Sequence, residues 1–178
     1  MRRFPGLCLA LCTLIPLPAA APAQPATTPT AGPKPCTASE YRQFDFWIGD
    51  WEVRTPAGRL AGTNRIEKIL GGCALRESWR GARGSSGTSL NAWNPGRRRW
   101  HQTWVDDDGL LLEIDGGLRE GRMVLEGETV SKDGARTGQR ITWSPMPAGR
   151  VRQLWEQSTG GGGTWKVAFE GIYSRKSR

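Results

Sequence analysis

Turn-forming sequences recur about every ten residues from Val53 onward. This regular spacing of turns limits the possible fold more than any other feature of the chain. Clear examples are 55–58 (Thr-Pro-Ala-Gly), 94–96 (Asn-Pro-Gly), 106–109 (Asp-Asp-Asp-Gly) and 132–134 (Lys-Asp-Gly). Between the turns, apolar and polar residues alternate, as they do in strands with one buried face. Roughly ten short strands result, and their spacing favours an all-β protein built as an antiparallel up-and-down sandwich or barrel.

The final strand shows this alternation most clearly. A strand of such regularity can pair with the first strand and close the sheet, which removes the exposed edges of an antiparallel protein. One face is expected to carry Lys166, Ala168, Glu170 and Ile172. The opposite, apolar face is expected to carry Trp165, Val167, Phe169, Gly171 and Tyr173.

Residues 44–53 (Phe-Asp-Phe-Trp-Ile-Gly-Asp-Trp-Glu-Val) concentrate large apolar side chains at the start of the first strand. Just ahead of them, Thr37 followed by Glu40 forms a capping-box pattern, which predicts one or two helical turns. We therefore expect a short N-terminal helical plug that closes one end of the barrel. The residues with expected structural roles here are Trp47, Gly49 and Trp51.

The same stretch carries a family resemblance. Gly49-Asp50-Trp51 resembles the G-x-W opening of lipocalins, and Phe46 to Val53 is similar to the first strand of fatty-acid-binding proteins. Both are calycin barrels. Four blocks in order, 44–53, 72–79, 100–106 and 151–156, resemble a family of exported bacterial domains of unknown function with an FDFWIGDW opening. The resemblance covers about Cys36 to Tyr173; it implies a calycin-like barrel over 36–174 and no established activity.

The chain begins with the features of a secretory signal peptide over residues 1–23. A cationic start precedes an apolar run, and Ala21-Pro22-Ala23 is a small-x-small cleavage signature. Residues 24–35 are rich in Pro, Thr and Ala, which is typical of a linker. We therefore expect an exported protein, periplasmic or secreted.

Charge and hydropathy limit the expected partners. Loss of Arg2 and Arg3 with the leader lowers the formal net charge from +8 to +6, and the remaining bases are scattered along the chain. We therefore expect no nucleic-acid partner. The apolar run of the leader is too short to span a bilayer and no later run is longer, so no membrane anchor is expected. The sequence does not indicate an oligomeric state.

Two cysteines, Cys36 and Cys73, remain after the leader is removed. An even pair in an exported protein favours a disulfide bond over a metal or redox site. This bond would tie the segment before the plug to the strand that begins near Cys73.

Strand alternation places four polar residues on the same faces as tryptophans. If those faces point inward, the barrel holds a cavity lined by indoles and a few hydrogen-bonding groups, which would suit a small apolar or aromatic ligand. The alternative is a solid core whose polar groups satisfy one another. The candidate ligand-binding residues are Glu77, Trp79, Asn91, Trp93, Gln102, Trp104, Gln153 and Trp155.

Glu77 is the most informative of these residues, because a buried carboxylate is costly unless it is paired. The favoured interpretation is a structural ion pair with an arginine, and the candidates are Arg76, Arg140 and Arg152. Ligand recognition comes second. An enzyme that uses Glu77 as an acid or base on a sequestered ligand comes third, since a lone carboxylate names no reaction.

No catalytic residue, cofactor or metal site is predicted. His101, the only histidine, is expected on the face opposite the aromatic one, and zinc would need further nitrogen or sulfur ligands. Residues 106–109 lack the spacing of a calcium loop and are typical of a hairpin turn. The function expected from the sequence is small-molecule binding; the alternatives are an enzyme and a structural or interaction domain with a filled barrel.

Overall fold

The computed structural model describes residues 35–159 and 163–176. The expected signal peptide and nearly all of the expected linker lie outside the described residues. Within the described ranges, no helix is long and apolar enough to cross a membrane.

Ten antiparallel strands form the fold, and consecutive strands are hydrogen-bonded neighbours throughout. The sheet closes because β1 pairs with β10 as well as with β2; Trp51, for example, lies opposite Arg175 on one side and Asn64 on the other. The predicted closed up-and-down barrel is therefore confirmed. Its strands are β1 (Gly49–Arg54), β2 (Leu60–Ile69), β3 (Ala74–Gly81), β4 (Ser86–Asn94), β5 (Arg99–Asp106), β6 (Leu111–Arg119), β7 (Arg122–Val130), β8 (Arg136–Met146), β9 (Arg150–Thr159) and β10 (Lys166–Arg175).

Two short 3-10 helices, Ser39–Arg42 and Asp45–Trp47, precede β1 and form the plug, residues 39–47. The predicted helical turns are confirmed, as 3-10 helices, and the first of them has Ala38 at its N-cap position. Two further 3-10 turns, Leu70–Gly72 and Pro147–Gly149, connect β2 to β3 and β8 to β9.

The plug fills one end of the barrel with aromatic rings, and we call this the closed end. Phe44 and Trp47 are fully buried and stack with centroids 4.8 Å apart. Trp143 of β8 packs against both, at 5.1 Å from Phe44 and 5.2 Å from Trp47. Trp51 is fully buried in β1 and donates its indole N–H to the Trp47 carbonyl at 2.8 Å. Aromatic packing thus joins the plug to the first strand.

A disulfide bond fastens the plug to the barrel. Cys36 is bonded to Cys73, as the sequence predicts, and Cys73 directly follows the turn between β2 and β3. The Arg42 guanidinium donates a hydrogen bond to the Gly72 carbonyl, and Lys68 forms an ion pair with Asp45 at 2.6 Å. Covalent and polar contacts therefore hold the same two segments together.

A β-bulge in β10 corrects the predicted faces of the last strand. Val167 lies opposite Glu156, but Phe169 lies opposite Trp155, so Ala168 is the extra residue. A one-residue shift moves side chains to the other face of a sheet. Val167 is therefore exposed, and Trp165 precedes the strand and packs with its ring 4.2 Å from the guanidinium of Arg140. Neither belongs to the interior face.

Candidate functional site: an interior cavity

A cavity of about 510 Å³ occupies the barrel interior away from the plug. Because β1 runs away from the plug and the strands alternate in direction, the loops after odd-numbered strands lie together at the opposite, open end. Arg83 in the loop after β3 and Asp108 in the loop after β5 both line the cavity and are exposed. The other lining residues are Glu77, Trp79, Gln102, Trp104, Leu112, Ile141, Gln153, Trp155, Ala168, Phe169 and Tyr173.

Glycines on the strands next to the tryptophans explain how the open end can hold bulky rings and still contain a cavity. A Cβ added to Gly87 would lie 2.3 Å from the Trp104 ring, and one added to Gly62 would lie 2.8 Å from the Trp79 ring. The rings therefore lie against strand backbone at positions that only glycine can occupy. Because the rings pack against the wall, the centre of the barrel stays open.

Glu77 of β3 provides a carboxylate at the cavity wall and is only 4% exposed. Asn64 of β2 donates its amide N–H to Glu77 Oε1 at 2.6 Å, and Ser89 of β4 donates its hydroxyl to Glu77 Oε2 at 2.6 Å. Both donors are neutral and lie on the strands that flank β3. The carboxylate is thus held in place without a neutralising charge.

Further hydrogen bonds extend from Glu77 around the interior. Gln102 donates to Asn91 at 2.7 Å, and Asn91 donates to Ser89 at 2.8 Å. On the other side, Asn64 Nδ2 lies 3.3 Å from the Tyr173 hydroxyl, which in turn donates to Gln153. The interior polar side chains therefore orient one another, as buried polar groups generally must.

Burial raises the pKa of Glu77 from its ordinary value to about 7, because removing the carboxylate from water outweighs the stabilising hydrogen bonds from Ser89 and Asn64. Burial also raises the pKa of Tyr173 well above its usual range, and the negative charge of Glu77 adds to that rise. Near neutral pH, the cavity therefore contains a carboxyl group balanced between its two protonation states and a neutral phenol.

The predicted ion pair of Glu77 is wrong. Its three candidate partners lie on the outer face, where Arg76 binds Glu67 at 2.7 Å, Arg140 binds Glu156 at 3.0 Å and Arg152 binds Glu170 at 2.6 Å. Among residues 35–159 and 163–176, no cationic side chain forms an ion pair with Glu77. Alternation explains the error, since each arginine is adjacent in sequence to an inward-facing residue.

The structure brings six of the eight predicted ligand-binding residues to the cavity: Glu77, Trp79, Gln102, Trp104, Gln153 and Trp155. Asn91 is fully buried and supports the wall through its hydrogen bonds, but it does not line the cavity. Trp93 also does not, because it pairs with Trp100 near the plug. The remaining lining residues were not predicted as a site. The sequence did contain a signal for Phe169 and Tyr173: both lie on the apolar face of the last strand, which predicts that their side chains point into the barrel.

His101 lies on the outer face of β5, away from the cavity. Its ring nitrogens contact Asp115 at 3.0 Å and Thr103 at 2.8 Å. Residues 106–109 form the hairpin turn that the sequence predicts, in which Asp106 Oδ1 accepts the backbone N–H of Leu110 at 2.9 Å. In the described part of the chain, no group of three or more His, Cys, Asp or Glu side chains is arranged to hold a metal ion.

Searches against models of protein families and against curated protein sequences find no match to this chain. The chemistry of the cavity is therefore argued from its own residues. It offers aromatic walls, amide groups with defined orientations and one buried carboxylate that can accept hydrogen bonds or a proton.

Proposed function

We propose that this protein binds a small molecule with an apolar or aromatic body inside its barrel. The observation that carries the proposal is the cavity of about 510 Å³ that is lined by indole rings and by Glu77. Ligand sites in proteins typically measure roughly 300–1,000 Å³ and combine apolar walls with a few oriented polar groups. A barrel filled by its own side chains would leave no such space, so binding is favoured over a purely structural role.

We further propose that the protein is exported to the periplasm or secreted, and that it is related to the calycin barrels. The signal-peptide pattern of residues 1–23 and the Cys36–Cys73 disulfide support export. The G-x-W opening and the up-and-down closure support the calycin relationship. A small ligand met outside the cytoplasm would then be the cargo.

An enzyme is the second candidate, and one specific observation favours it. Glu77 reaches the cavity without an arginine partner, and its pKa of about 7 would let it exchange a proton near neutral pH. The surrounding amides and indoles do not define a nucleophile or a reaction class. Binding therefore remains the first proposal.

Native mass spectrometry of protein purified from its own periplasm tests the binding proposal directly. We expect a retained small molecule in the wild-type protein, and less of it in Trp104→Ala, because this substitution removes a ring that lines the cavity. Trp165→Ala is the matched control, since Trp165 packs outside the barrel against Arg140.

Tryptophan fluorescence provides the second measurement. Probes that enter the cavity should change the emission of the wild-type protein and of Trp165→Ala to a similar extent. If neither apolar nor aromatic probes change the emission and no molecule is retained, the binding proposal is wrong.

A further inference from the structure

We propose that the ligand is an organic cation: a protonated amine whose N–H groups bind Glu77 while its apolar body lies between the aromatic walls. This inference rests on the proposed binding function and specifies the class of ligand. It follows from the charges and hydrogen-bonding groups that face the cavity.

The first argument is the buried, uncompensated carboxylate. Each Glu77 oxygen accepts one hydrogen bond from a neutral donor, whereas a carboxylate offers about four acceptor sites. Asn64 Oδ1 is buried beside it and has no hydrogen-bond partner within the described residues. The Glu77 carboxylate at the cavity wall therefore retains capacity for N–H donors, and a cation would supply the opposite charge that Glu77 lacks.

The second argument is that four of the donors on side chains that line the cavity are already engaged. The indole N–H of Trp155 donates to Gln139 at 2.7 Å, and that of Trp104 donates to Asp106 at 3.3 Å. The Gln102 amide donates to Asn91 and the Tyr173 hydroxyl to Gln153. An anionic ligand that used any of these four donors would have to break an existing bond, whereas a cation needs none of them.

The third argument concerns the tryptophan rings that line the cavity. Trp104 and Trp155 line the cavity while their N–H groups are directed to protein acceptors. Trp79 also lines it, in an edge contact with Phe169 at 6.1 Å. The faces of aromatic rings attract cations, and indole does so best. Aromatic walls and a carboxylate together are a common solution for binding organic ammonium groups.

Arg83 does not neutralise this site. It lines the cavity from the exposed loop after β3, where Asp108 from the loop after β5 also contributes a carboxylate. The charged lining residues are thus two acids and one base, although the whole chain is basic. A ligand carboxylate, by contrast, would meet its one cationic partner at Arg83, near the opening.

The test is isothermal titration calorimetry at pH 8 with three matched probes: phenethylamine, phenethyl alcohol and phenylacetate, together with their larger naphthyl analogues. These probes share an aromatic body and differ in having a cationic, neutral or anionic end. We expect the amines to bind at least about tenfold more tightly than the alcohols or acids.

Glu77→Gln should remove most of this preference, lowering amine affinity at least about tenfold while leaving alcohol affinity within about twofold. Glu113→Gln is the matched control, because Glu113 is exposed on β6 and does not line the cavity. Circular dichroism should show that both variants fold.

A pH series separates charge recognition from shape. Amine affinity should rise between pH 6 and pH 8 as Glu77 loses its proton, and Glu77→Gln should abolish the rise. The other titratable or charged groups that face the cavity are Tyr173, Arg83 and Asp108, while Asn64 and Ser89 on the flanking strands are neutral. Arg83→Gln and Asp108→Asn should therefore retain the pH dependence.

The outcomes are distinguishable. If the three probe types bind equally, the amine class is wrong and the binding proposal stands. Tighter binding of the acids, lost in Arg83→Gln, would likewise overturn the amine class in favour of an anionic ligand. If no probe of either size binds, both the amine inference and the proposed function fail.

Discussion

The two ends of the barrel use the same residue type to opposite effect. At the closed end, Trp47, Trp51 and Trp143 are fully buried in the hydrophobic core, where Trp47 and Trp143 pack against each other. At the open end, Trp79 and Trp104 are only partly buried and line a space of about 510 Å³. A high tryptophan content therefore does not distinguish a core from a binding site.

The backbone beneath each ring explains the difference. Gly87 lies beneath the Trp104 ring and Gly62 beneath the Trp79 ring, so both rings rest on the barrel wall. At the closed end the plug supplies Phe44 and Trp47 from outside the sheet, and these rings extend across the interior. Glycine facing an aromatic residue on a neighbouring strand thus preserves the cavity, whereas a helical segment fills it.

Substitution of Trp51 should produce the largest effect. Trp51→Ala removes a fully buried indole with its hydrogen bond to the Trp47 carbonyl, so we expect a loss of about 3–5 kcal/mol in the free energy of unfolding. Trp104→Ala should cost less, because that ring already faces a cavity. Urea denaturation of both variants measures the difference. Equal losses, or a Trp51→Ala protein that melts like the wild type, would contradict the contrast between the two ends.

The disulfide should contribute the next largest effect. Closing a loop with a sequence separation of 37 stabilises a protein by about 4 kcal/mol at most in the chain-entropy model, and measured values are typically about 2–4 kcal/mol. We therefore expect Cys36→Ser with Cys73→Ser to lower the free energy of unfolding by that amount. Because the bond lies at the closed end, probe affinity in the folded double variant should be nearly unchanged. A large loss of binding would show that the two ends are coupled.

Glu77, at the open end, should make the free energy of unfolding of the protein depend on pH. Its pKa is raised from 4.5 to about 7, so the folded protein holds this proton more tightly than the unfolded chain does. The contribution of Glu77 to the free energy of unfolding should therefore be largest below pH 4.5 and fall by on the order of 3 kcal/mol as pH rises through 7. The wild-type value minus that of Glu77→Gln, measured across this range, isolates the contribution from other carboxylates.

Glu113→Gln serves as the control for that series, because it makes the same chemical change on the exposed face. Its stability difference from wild type measures the effect of the Glu-to-Gln change outside the cavity. A wild-type minus Glu77→Gln difference that is flat with pH would mean that Glu77 ionises as an ordinary exposed carboxyl.

The smallest expected effect tests the role of glycine. Gly87→Ala would place a Cβ 2.3 Å from the Trp104 ring and 2.9 Å from the Val105 carbonyl, so the ring must move toward the cavity. We expect a loss of about 1–3 kcal/mol in stability and weaker binding of the naphthyl probes than of the phenyl probes. Gly117→Ala, which meets no neighbouring atom within 4 Å, is the matched control. Unchanged preference between probe sizes would contradict this account.

Much of the fold follows from local sequence, because turns and alternation are local properties. Strand closure and the inward direction of Glu77 and Gln102 could be predicted from them. The same alternation also predicts that the side chains of Arg140 and Arg152 point outward. The bulge at Ala168 was not, since it breaks the alternation without a recognisable sequence signal.

The position of a side chain along the barrel axis is the other property that could not be predicted from the sequence. Trp93 and Trp104 both belong to tryptophan-bearing faces, yet only Trp104 lines the cavity. Their positions depend on the stagger between neighbouring strands, which is set by pairing across the whole sheet. Alternation predicts the direction of a side chain but not its distance from either end.

The plug, which the disulfide bond fastens to the barrel, limits how a ligand could enter and leave the cavity. Because Phe44 and Trp47 close one end, a ligand bound as we propose would enter and leave by the open end, past the loops that carry Arg83 and Asp108. A barrel closed in this way would not let the proposed ligand pass through from one end to the other. Any partner that receives the proposed ligand would therefore have to face these loops.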